Sequence, residues 1–237
     1  MAIPRMLESN PLIVGLDVDT RERALELVRD LADVVGAFKV GPRLVHRYGE
    51  ALIREIAAES PVFVDCKFFD IPSTMVAAVR ASFESGASLV TVHAQAGKEA
   101  LKALAELERE LNQTRPFKIL CVTMLTSFSA ETLPPVLKDQ SIREHVVQLA
   151  DLVKECGLTG IVCSGEELAD LRDKGLYLVT PGIRFTLEEA GDQKRVMGPA
   201  EATAHGASAL VVARPIIESP NPRKAALDYS VAMMKKK

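Results

Sequence analysis

Hydrophobic and polar positions alternate along this chain as short apolar runs separated by longer amphipathic stretches. The short runs are rich in valine, isoleucine and leucine, and continuous apolar runs predict strands covered on both faces, as in a parallel sheet. The pattern predicts eight strands, at residues 12–17, 37–41, 62–66, 88–93, 117–123, 160–163, 176–180 and 208–213.

Amphipathic helices are predicted between the strands, for example at residues 21–34, 43–58 and 97–110, because apolar residues recur there at helical spacing. Eight strand–helix units in 237 residues predict an α/β fold, a single (β/α)8 TIM barrel domain over residues 1–237. An open, doubly wound sheet would alternate in the same way. The number of units favours the closed barrel, and no glycine-rich dinucleotide motif follows the first strand.

Composition and charge narrow the classes of function. The net charge of −3 gives no electrostatic attraction to nucleic acid, so we predict no nucleic-acid partner. The first ten residues lack the apolar segment of a secretion signal, and no stretch approaches the roughly 18 apolar residues that span a bilayer. Four cysteines without a C-x-x-C pair are typical of reduced thiols. We therefore expect a cytoplasmic protein with no membrane contact.

Two segments are longer than the other connections. Residues 127–140 follow the fifth strand, and residues 181–199 follow the seventh. Because long loops in a compact domain are often lids, we expect these two segments to cover a binding site.

The predicted strand ends carry an unusual number of polar residues. TIM barrels bind their substrates at the carboxyl ends of the strands, so these positions are the candidates for a site. They are Asp17, Lys39, Asp65, Lys67, His93, Thr123, Thr180 and Arg214.

Lys67 stands between two carboxylates, Asp65 and Asp70, at the end of the third strand. Side chains alternate along a strand, so Asp65 and Lys67 are predicted to point to the same side. Neighbouring negative charges favour the ammonium form of Lys67, which makes it a positioned acid and a poor nucleophile. A structural ion pair is the simpler interpretation. The second lysine, Lys39, argues against it, because so much buried charge is costly unless it serves a function.

Two arginines follow the seventh and eighth strands, where TIM barrels commonly hold a phosphate. Arg184 lies in the sequence Pro-Gly-Ile-Arg and Arg214 in Ala-Arg-Pro. The planar guanidinium group matches phosphate oxygens. Either arginine alone could form a surface salt bridge, but the two together predict a phosphorylated ligand.

A metal site is the other chemistry considered at the strand ends. Asp65, Asp70 and His93 could supply ligands, but Lys67 already provides the cation between the carboxylates. We therefore predict no metal, and His93 receives no role.

The segment from Asp65 to Thr74, DCKFFDIPST, resembles the D-x-K-x-x-D-I-P-x-T signature of the orotidine 5′-phosphate decarboxylase family. Each of the family's other motifs is modest in specificity, but their common order and spacing make the resemblance strong. They match at residues 15–17, 38–41, 122–127, 162–164, 179–184, 190–193 and 213–215.

The resemblance implies decarboxylation of orotidine 5′-phosphate to UMP in de novo pyrimidine synthesis, without a cofactor. By matching position, Lys67 would protonate C6 of the pyrimidine ring, and Asp65 would face the substrate carboxylate. Lys39 and Asp70 would complete an alternating network of charges, and all four count as catalytic.

The resemblance also implies which residues bind the substrate. Asp17 would contact the ribose hydroxyls, and Lys39 would lie against the substrate as well. Thr126 and Ser127 would lie on the pyrimidine side. The phosphate end would be formed by Pro181, Arg184, Gln193, Ala213 and Arg214.

A homodimer with shared active sites is a further implication of the resemblance. Asp70, Ile71 and Thr74 would reach the site of the neighbouring subunit. Two departures from the family pattern are Ala213, in place of the usual glycine, and Gln95-Ala96-Gly97, in place of a smaller turn. The extra methyl group of Ala213 could crowd a backbone amide near the phosphate, and we expect it to be tolerated.

Three other functions fit parts of the pattern. The 3-keto-gulonate 6-phosphate decarboxylase and hexulose-phosphate synthase branch shares D-x-K-x-x-D but uses Mg²⁺; residues 71–74 and the Pro-Gly-Ile-Arg loop speak against it. A Schiff-base aldolase needs a free amine, which the flanking carboxylates disfavour. A catalytically silent barrel that binds a phosphorylated ligand as a sensor or scaffold would carry the same residues.

Overall fold

Each of the eight predicted apolar runs forms a strand in the computed structural model, which describes residues 3–185 and 197–234. The strands pair in parallel and in chain order, and the last pairs with the first, so the TIM barrel is confirmed. The strands are β1 (Leu12–Gly15), β2 (Ala37–Val40), β3 (Val62–Phe68), β4 (Ala87–His93), β5 (Lys118–Val122), β6 (Gly160–Val162), β7 (Tyr177–Thr180) and β8 (Ala209–Val212).

Helices connect the strands where helical periodicity predicts them. The Thr20 side chain caps the first of the predicted helices by accepting a hydrogen bond from the Arg23 amide. The described helices are α1 (Arg5–Ser9), α2 (Arg21–Leu31), α3 (Pro42–Ala57), α4 (Pro72–Glu84), α5 (Gly97–Leu111), α6 (Ile142–Glu155), α7 (Leu168–Leu171), α8 (Pro199–Ala204), α9 (Arg214–Ile217) and α10 (Pro222–Met234).

Alternate residues of a strand belong to two separate apolar clusters, because successive side chains point to opposite faces of a sheet. Val62 and Val64 of β3 belong to the larger cluster, between the strands and the helices. Phe63 belongs to a smaller cluster made mostly of strand residues, which fills the barrel interior. Leu7 of α1 packs into that interior cluster and is buried. The short helix α1, which the periodicity did not predict, thus contributes to filling the barrel.

The pairing of β3 with β4 is irregular beside the predicted site. Val64 pairs with Val90 and Phe68 with Val92, so Asp65, Cys66 and Lys67 all lie opposite the single residue 91. Such a β-bulge locally bends a strand and redirects side chains. It also extends β3 to Phe68, two residues beyond its predicted end.

The two predicted lids have different outcomes. Residues 127–140 form turns around a short 3-10 helix at Pro135–Leu137, and their role as a lid stays a prediction. Most of residues 181–199 lies outside the described part of the chain. Among the described residues, no helix is both long enough and apolar enough to cross a membrane.

Candidate active site

A cavity of about 500 Å³ opens at the carboxyl ends of the strands. Its floor is formed by apolar side chains of the barrel interior, such as Phe63, Val179 and Val211. Its walls carry nine residues that the sequence predicted for the site. They are Asp17, Lys39, Asp65, Lys67, Thr126, Pro181, Arg184, Ala213 and Arg214.

Four charged side chains form a chain of alternating sign on one side of the cavity. Lys39 Nζ lies 3.4 Å from Asp17 Oδ1 and 3.5 Å from Asp65 Oδ2. Lys67 Nζ lies 2.8 Å from Asp65 Oδ1. We call these four residues the charge cluster. The contact confirms that Asp65 and Lys67 lie together, although the bulge means that regular strand alternation is not the reason.

The cluster favours the charged forms of Lys39 and Asp65, its two most buried members. Burial opposes the charge of Lys39, but Asp65 and Asp17 outweigh it, so the pKa of Lys39 lies above its usual value. Burial likewise opposes the charge of Asp65. Lys39, Lys67 and a hydrogen bond from Thr91 outweigh that effect, and the pKa of Asp65 lies below its usual value. At neutral pH the cavity wall therefore presents fixed charges of both signs.

Both predicted phosphate-binding arginines line the same cavity. The guanidinium group of Arg184 is buried and donates to the carbonyl of Ile183 at 2.7 Å, while its amide donates to the Met197 carbonyl at 3.1 Å. Arg214 is the first residue of α9 and is half-buried. The segments after β7 and β8 thus bring two arginines to one opening.

Ala213 fits because its neighbour is a glycine. A Cβ atom added to Gly15 would lie 2.9 Å from the Cβ of Ala213 and 3.2 Å from Cε of Lys39. The methyl group of Ala213 thus lies where a side chain at Gly15 would have to go. Ala213 has a negative φ of −120°, so its backbone does not require glycine.

Five predicted site residues are not placed in the cavity of their own chain. Ser127, Asp70, Ile71 and Thr74 are exposed and do not line it. Asp70 accepts a hydrogen bond from the Ile71 amide at 2.6 Å, directly before α4. Gln193 lies outside the described residues. Within one chain, Lys67 therefore contacts Asp65, and the role of Asp70 stays a prediction.

Two charged residues of the cavity wall were missed by sequence reasoning. Arg43 lies in the first turn of α3, and its guanidinium donates to the Asp17 carbonyl at 3.3 Å. Glu218 follows α9. Arg43 stands at the start of the helix that follows β2, so inspecting the first turn of that helix would have found it. Glu218 lies at the end of α9, and no strand-end or helix-start signal points to it.

His93 and Cys66 adjoin the cluster without lining the cavity. Burial, reinforced by the charge of Lys67, lowers the pKa of His93, and its ring packs against Phe69 at 5.4 Å between centroids. Burial raises the pKa of the Cys66 thiol to about 11, so the thiol stays protonated. In the described part of the chain, no group of three or more His, Cys, Asp or Glu residues is arranged to hold a metal ion.

Comparison with known proteins gives one consistent family. The family model described as Orotidine 5′-phosphate decarboxylase / HUMPS family matches residues 10–229. A relative from Syntrophomonas wolfei, named orotidine 5′-phosphate decarboxylase, is 39% identical over 227 residues, which cover 91% of this chain and 94% of the relative. A relative of the same name from Nitrosococcus oceani is 40% identical over 223 residues, which cover 92% and 95%.

Solved structures agree with this result. The crystal structure of orotidine 5′-phosphate decarboxylase from Lactobacillus acidophilus matches with a TM-score of 0.82 and 29% identity, over 95% of this chain and all of that one. The enzyme from Methanocaldococcus jannaschii, complexed with the inhibitor BMP, matches with a TM-score of 0.77 and 26% identity, over 95% and 99%.

Proposed function

Because the chain belongs to the orotidine 5′-phosphate decarboxylase / HUMPS family, we propose that it decarboxylates orotidine 5′-phosphate to UMP in de novo pyrimidine synthesis. The observation that carries this proposal is the charge cluster on the wall of a cavity that two arginines also line. An ammonium group held against a carboxylate suits a reaction in which a carboxylate leaves and a proton takes its place.

Lys67 is the proposed acid. Loss of CO₂ from C6 leaves the bond's electron pair on a ring carbon that has no ordinary electron sink. A preorganised ammonium group stabilises that charge as it develops and then transfers its proton to C6, which leaves a neutral amine for water to reprotonate. The mechanism invokes no metal or other cofactor.

Asp65 is proposed to face the departing carboxylate. Its low pKa keeps it ionised, so the carboxylate of Asp65 and that of the bound substrate repel each other. This repulsion ends when CO₂ leaves. Lys39 holds Asp65 from the other side and also contacts Asp17, which we assign to the ribose hydroxyls. The charge cluster thus orients substrate and acid together.

The phosphate end supplies binding energy at a distance from the reacting carbon. We assign the phosphate to Arg184 and Arg214, with Gln193 as a third contact, Pro181 and Ala213 beside it, and Thr126 and Ser127 at the pyrimidine. A dianion held there aligns the ring against Lys67, because binding of a non-reacting group can offset the cost of orientation.

A homodimer with shared sites is the second part of the proposal. The segment after β3 exposes two large apolar side chains, with Phe69 60% and Ile71 64% accessible, beside the exposed carboxylate of Asp70. Such a surface is suited to a partner. In the dimer, Asp70, Ile71 and Thr74 would enter the neighbouring cavity and place a second carboxylate near its Lys67.

A direct assay tests the reaction. Purified protein is mixed with orotidine 5′-phosphate in buffer containing EDTA, and the loss of orotate absorbance is followed. We expect turnover that is insensitive to EDTA. Turnover abolished by EDTA and restored by Mg²⁺ would favour the metal-dependent branch of the family. Absence of turnover under both conditions would contradict the proposed reaction and favour a barrel that binds a phosphorylated ligand without catalysis.

Subunit mixing tests the shared site. Lys67→Ala and Asp70→Ala proteins, each nearly inactive, are unfolded together and refolded. Heterodimers would contain one site with both residues intact, so we expect about a quarter of the wild-type activity per site from random pairing. Activity no greater than the sum of the separate variants would contradict donation across subunits.

A further inference from the structure

One buried threonine faces the bulge in β3. Residue 91 of β4 is the only residue opposite Asp65, Cys66 and Lys67, and it is a threonine with no accessible surface. At a bulge the backbone ladder is disrupted, and polar groups there need other partners. The Lys67 amide finds its partner in the Thr91 hydroxyl, at 2.9 Å.

The same hydroxyl also binds the catalytic carboxylate. Thr91 Oγ1 donates to Asp65 Oδ1 at 2.9 Å, and a hydroxyl group can donate one hydrogen bond while accepting another. Asp65 Oδ1 therefore receives both the Thr91 hydroxyl and the Lys67 ammonium, while Oδ2 faces Lys39. One side chain thus contacts both the backbone of the acid and the carboxylate beside it.

The backbone of Lys67 needs such support. Its φ of +48° lies in the left-handed region, and Lys67 is the only non-glycine among the described residues with a positive φ. This conformation is unfavourable for a residue with a Cβ atom and persists where the surroundings hold it. The hydrogen bond from the Lys67 amide to Thr91 fixes the backbone at that residue.

We propose that Thr91 is a positioning residue for the reaction: its hydroxyl holds the left-handed backbone of Lys67 and the orientation of Asp65, and so sets where the ammonium group points. The inference rests on the proposed roles of Lys67 and Asp65. Thr91 itself does not line the cavity and acts through those two residues.

Three substitutions of Thr91 separate the effect of losing the hydroxyl group from the effect of altered packing. Thr91→Val keeps the shape and loses the hydroxyl, Thr91→Ala loses both, and Thr91→Ser keeps the hydroxyl. We expect kcat to fall about 10–100-fold in the valine and alanine variants, because a small displacement of a catalytic group has effects of that size. The kcat of Thr91→Ser should stay within about threefold of wild type. The affinity for UMP should change by less than about twofold in all three variants, since the proposed contacts of the UMP phosphate lie elsewhere.

A pH measurement gives a readout that packing alone would not move. Loss of the Thr91 hydrogen bond raises the pKa of Asp65, so the acid limb of kcat should shift to higher pH in Thr91→Val and not in Thr91→Ser. The same shift is measurable without turnover, by carbon-13 NMR titration of labelled aspartate with Asp65→Asn as the assignment control.

Ser82→Ala is the matched control. Ser82 is also buried, and its hydroxyl donates to the Ala78 carbonyl at 2.8 Å within α4 without touching the charge cluster or lining the cavity. We expect this variant to lose stability and keep kcat.

A wild-type kcat in Thr91→Val would overturn the inference. So would losses of kcat that follow the loss of melting temperature in all four variants. An inactive wild-type protein would overturn the proposed reaction, and an unshifted Asp65 pKa in Thr91→Val would overturn the positioning role independently.

Discussion

The barrel buries charged residues at both of its ends, and the two sites differ in what surrounds them. At the amino end of β5, Lys118 Nζ lies 3.2 Å from Glu108 Oε1 and 3.0 Å from Thr159 Oγ1. Glu108 Oε2 also accepts from the Ile119 amide at 2.5 Å. At the carboxyl end, the charge cluster of Asp17, Lys39, Asp65 and Lys67 extends along a cavity wall.

Access to ligand is the main difference between the two sites. The Lys118 side chain is 4% accessible, whereas that of Lys67 is 38% accessible and lines the cavity. A buried pair with matched partners contributes little net stability, but removing one partner leaves an uncompensated charge. The comparison teaches that burial of charge alone does not identify a catalytic group; a cavity beside it does.

The largest expected effect is on catalysis at the carboxyl end. Lys67→Ala removes both the stabilising charge and the proton donor, so kcat for orotidine 5′-phosphate should fall at least about 10³-fold. Steady-state kinetics measure the loss. Lys98→Ala, which removes an exposed lysine paired with Glu155, should keep wild-type turnover. Near-normal kcat in Lys67→Ala would remove the basis for assigning it as the acid.

The next effect is on stability at the amino end. Lys118→Met keeps the apolar stem but leaves the Glu108 carboxylate without its cation, so the free energy of unfolding should fall by about 3–5 kcal/mol. Urea unfolding followed by circular dichroism measures it, and kcat per folded molecule should not change. Lys118→Met combined with Glu108→Gln should recover part of the loss. A large drop in kcat with unchanged stability would instead show that the Lys118–Glu108 pair serves catalysis.

A smaller effect is expected from packing beneath the charge cluster. Gly15→Ala forces a Cβ against Ala213 and Lys39, which should cost about 1–3 kcal/mol of stability by overpacking. Adding Ala213→Gly should restore most of it. Gly198→Ala is the control, because the nearest atom to its added Cβ is Glu201 Oε2 at 4.0 Å. Additive losses in the Gly15→Ala, Ala213→Gly double variant would show that the two residues do not share one space.

The smallest expected effect is that of pH near neutrality on the free energy of unfolding. The lowered pKa of Asp65 gives stability that is present above its unfolded pKa of about 3.9 and is lost as pH falls through the folded value. The raised pKa of Lys39 gives stability that is complete below about pH 10.4 and is lost as pH rises through the folded value.

Between about pH 5 and 9 neither Asp65 nor Lys39 should therefore titrate. The difference in unfolding free energy between wild type and Asp65→Asn should stay constant over that window and shrink at lower pH. Denaturant unfolding at a series of pH values measures it. A difference that already declines between pH 7 and 5 would contradict the lowered pKa of Asp65.

The amino-acid sequence was sufficient to predict the barrel and most of the polar residues of the cavity wall. Apolar runs of strand length and helical periodicity between them are local properties, and they located all eight strands. Polar residues at strand ends then identified Asp17, Lys39, Asp65 and Lys67, because closure of a parallel barrel brings all carboxyl ends to one opening.

The way those residues are held depends on contacts between distant segments of the chain. The bulge opposite Thr91 and the left-handed backbone of Lys67 depend on the register of β3 against β4, which side-chain alternation within β3 cannot report. The fit of Ala213 depends on Gly15, nearly 200 residues earlier in the chain. Such contacts are set by how distant strands meet when the barrel closes, so they leave no periodic signal in either segment.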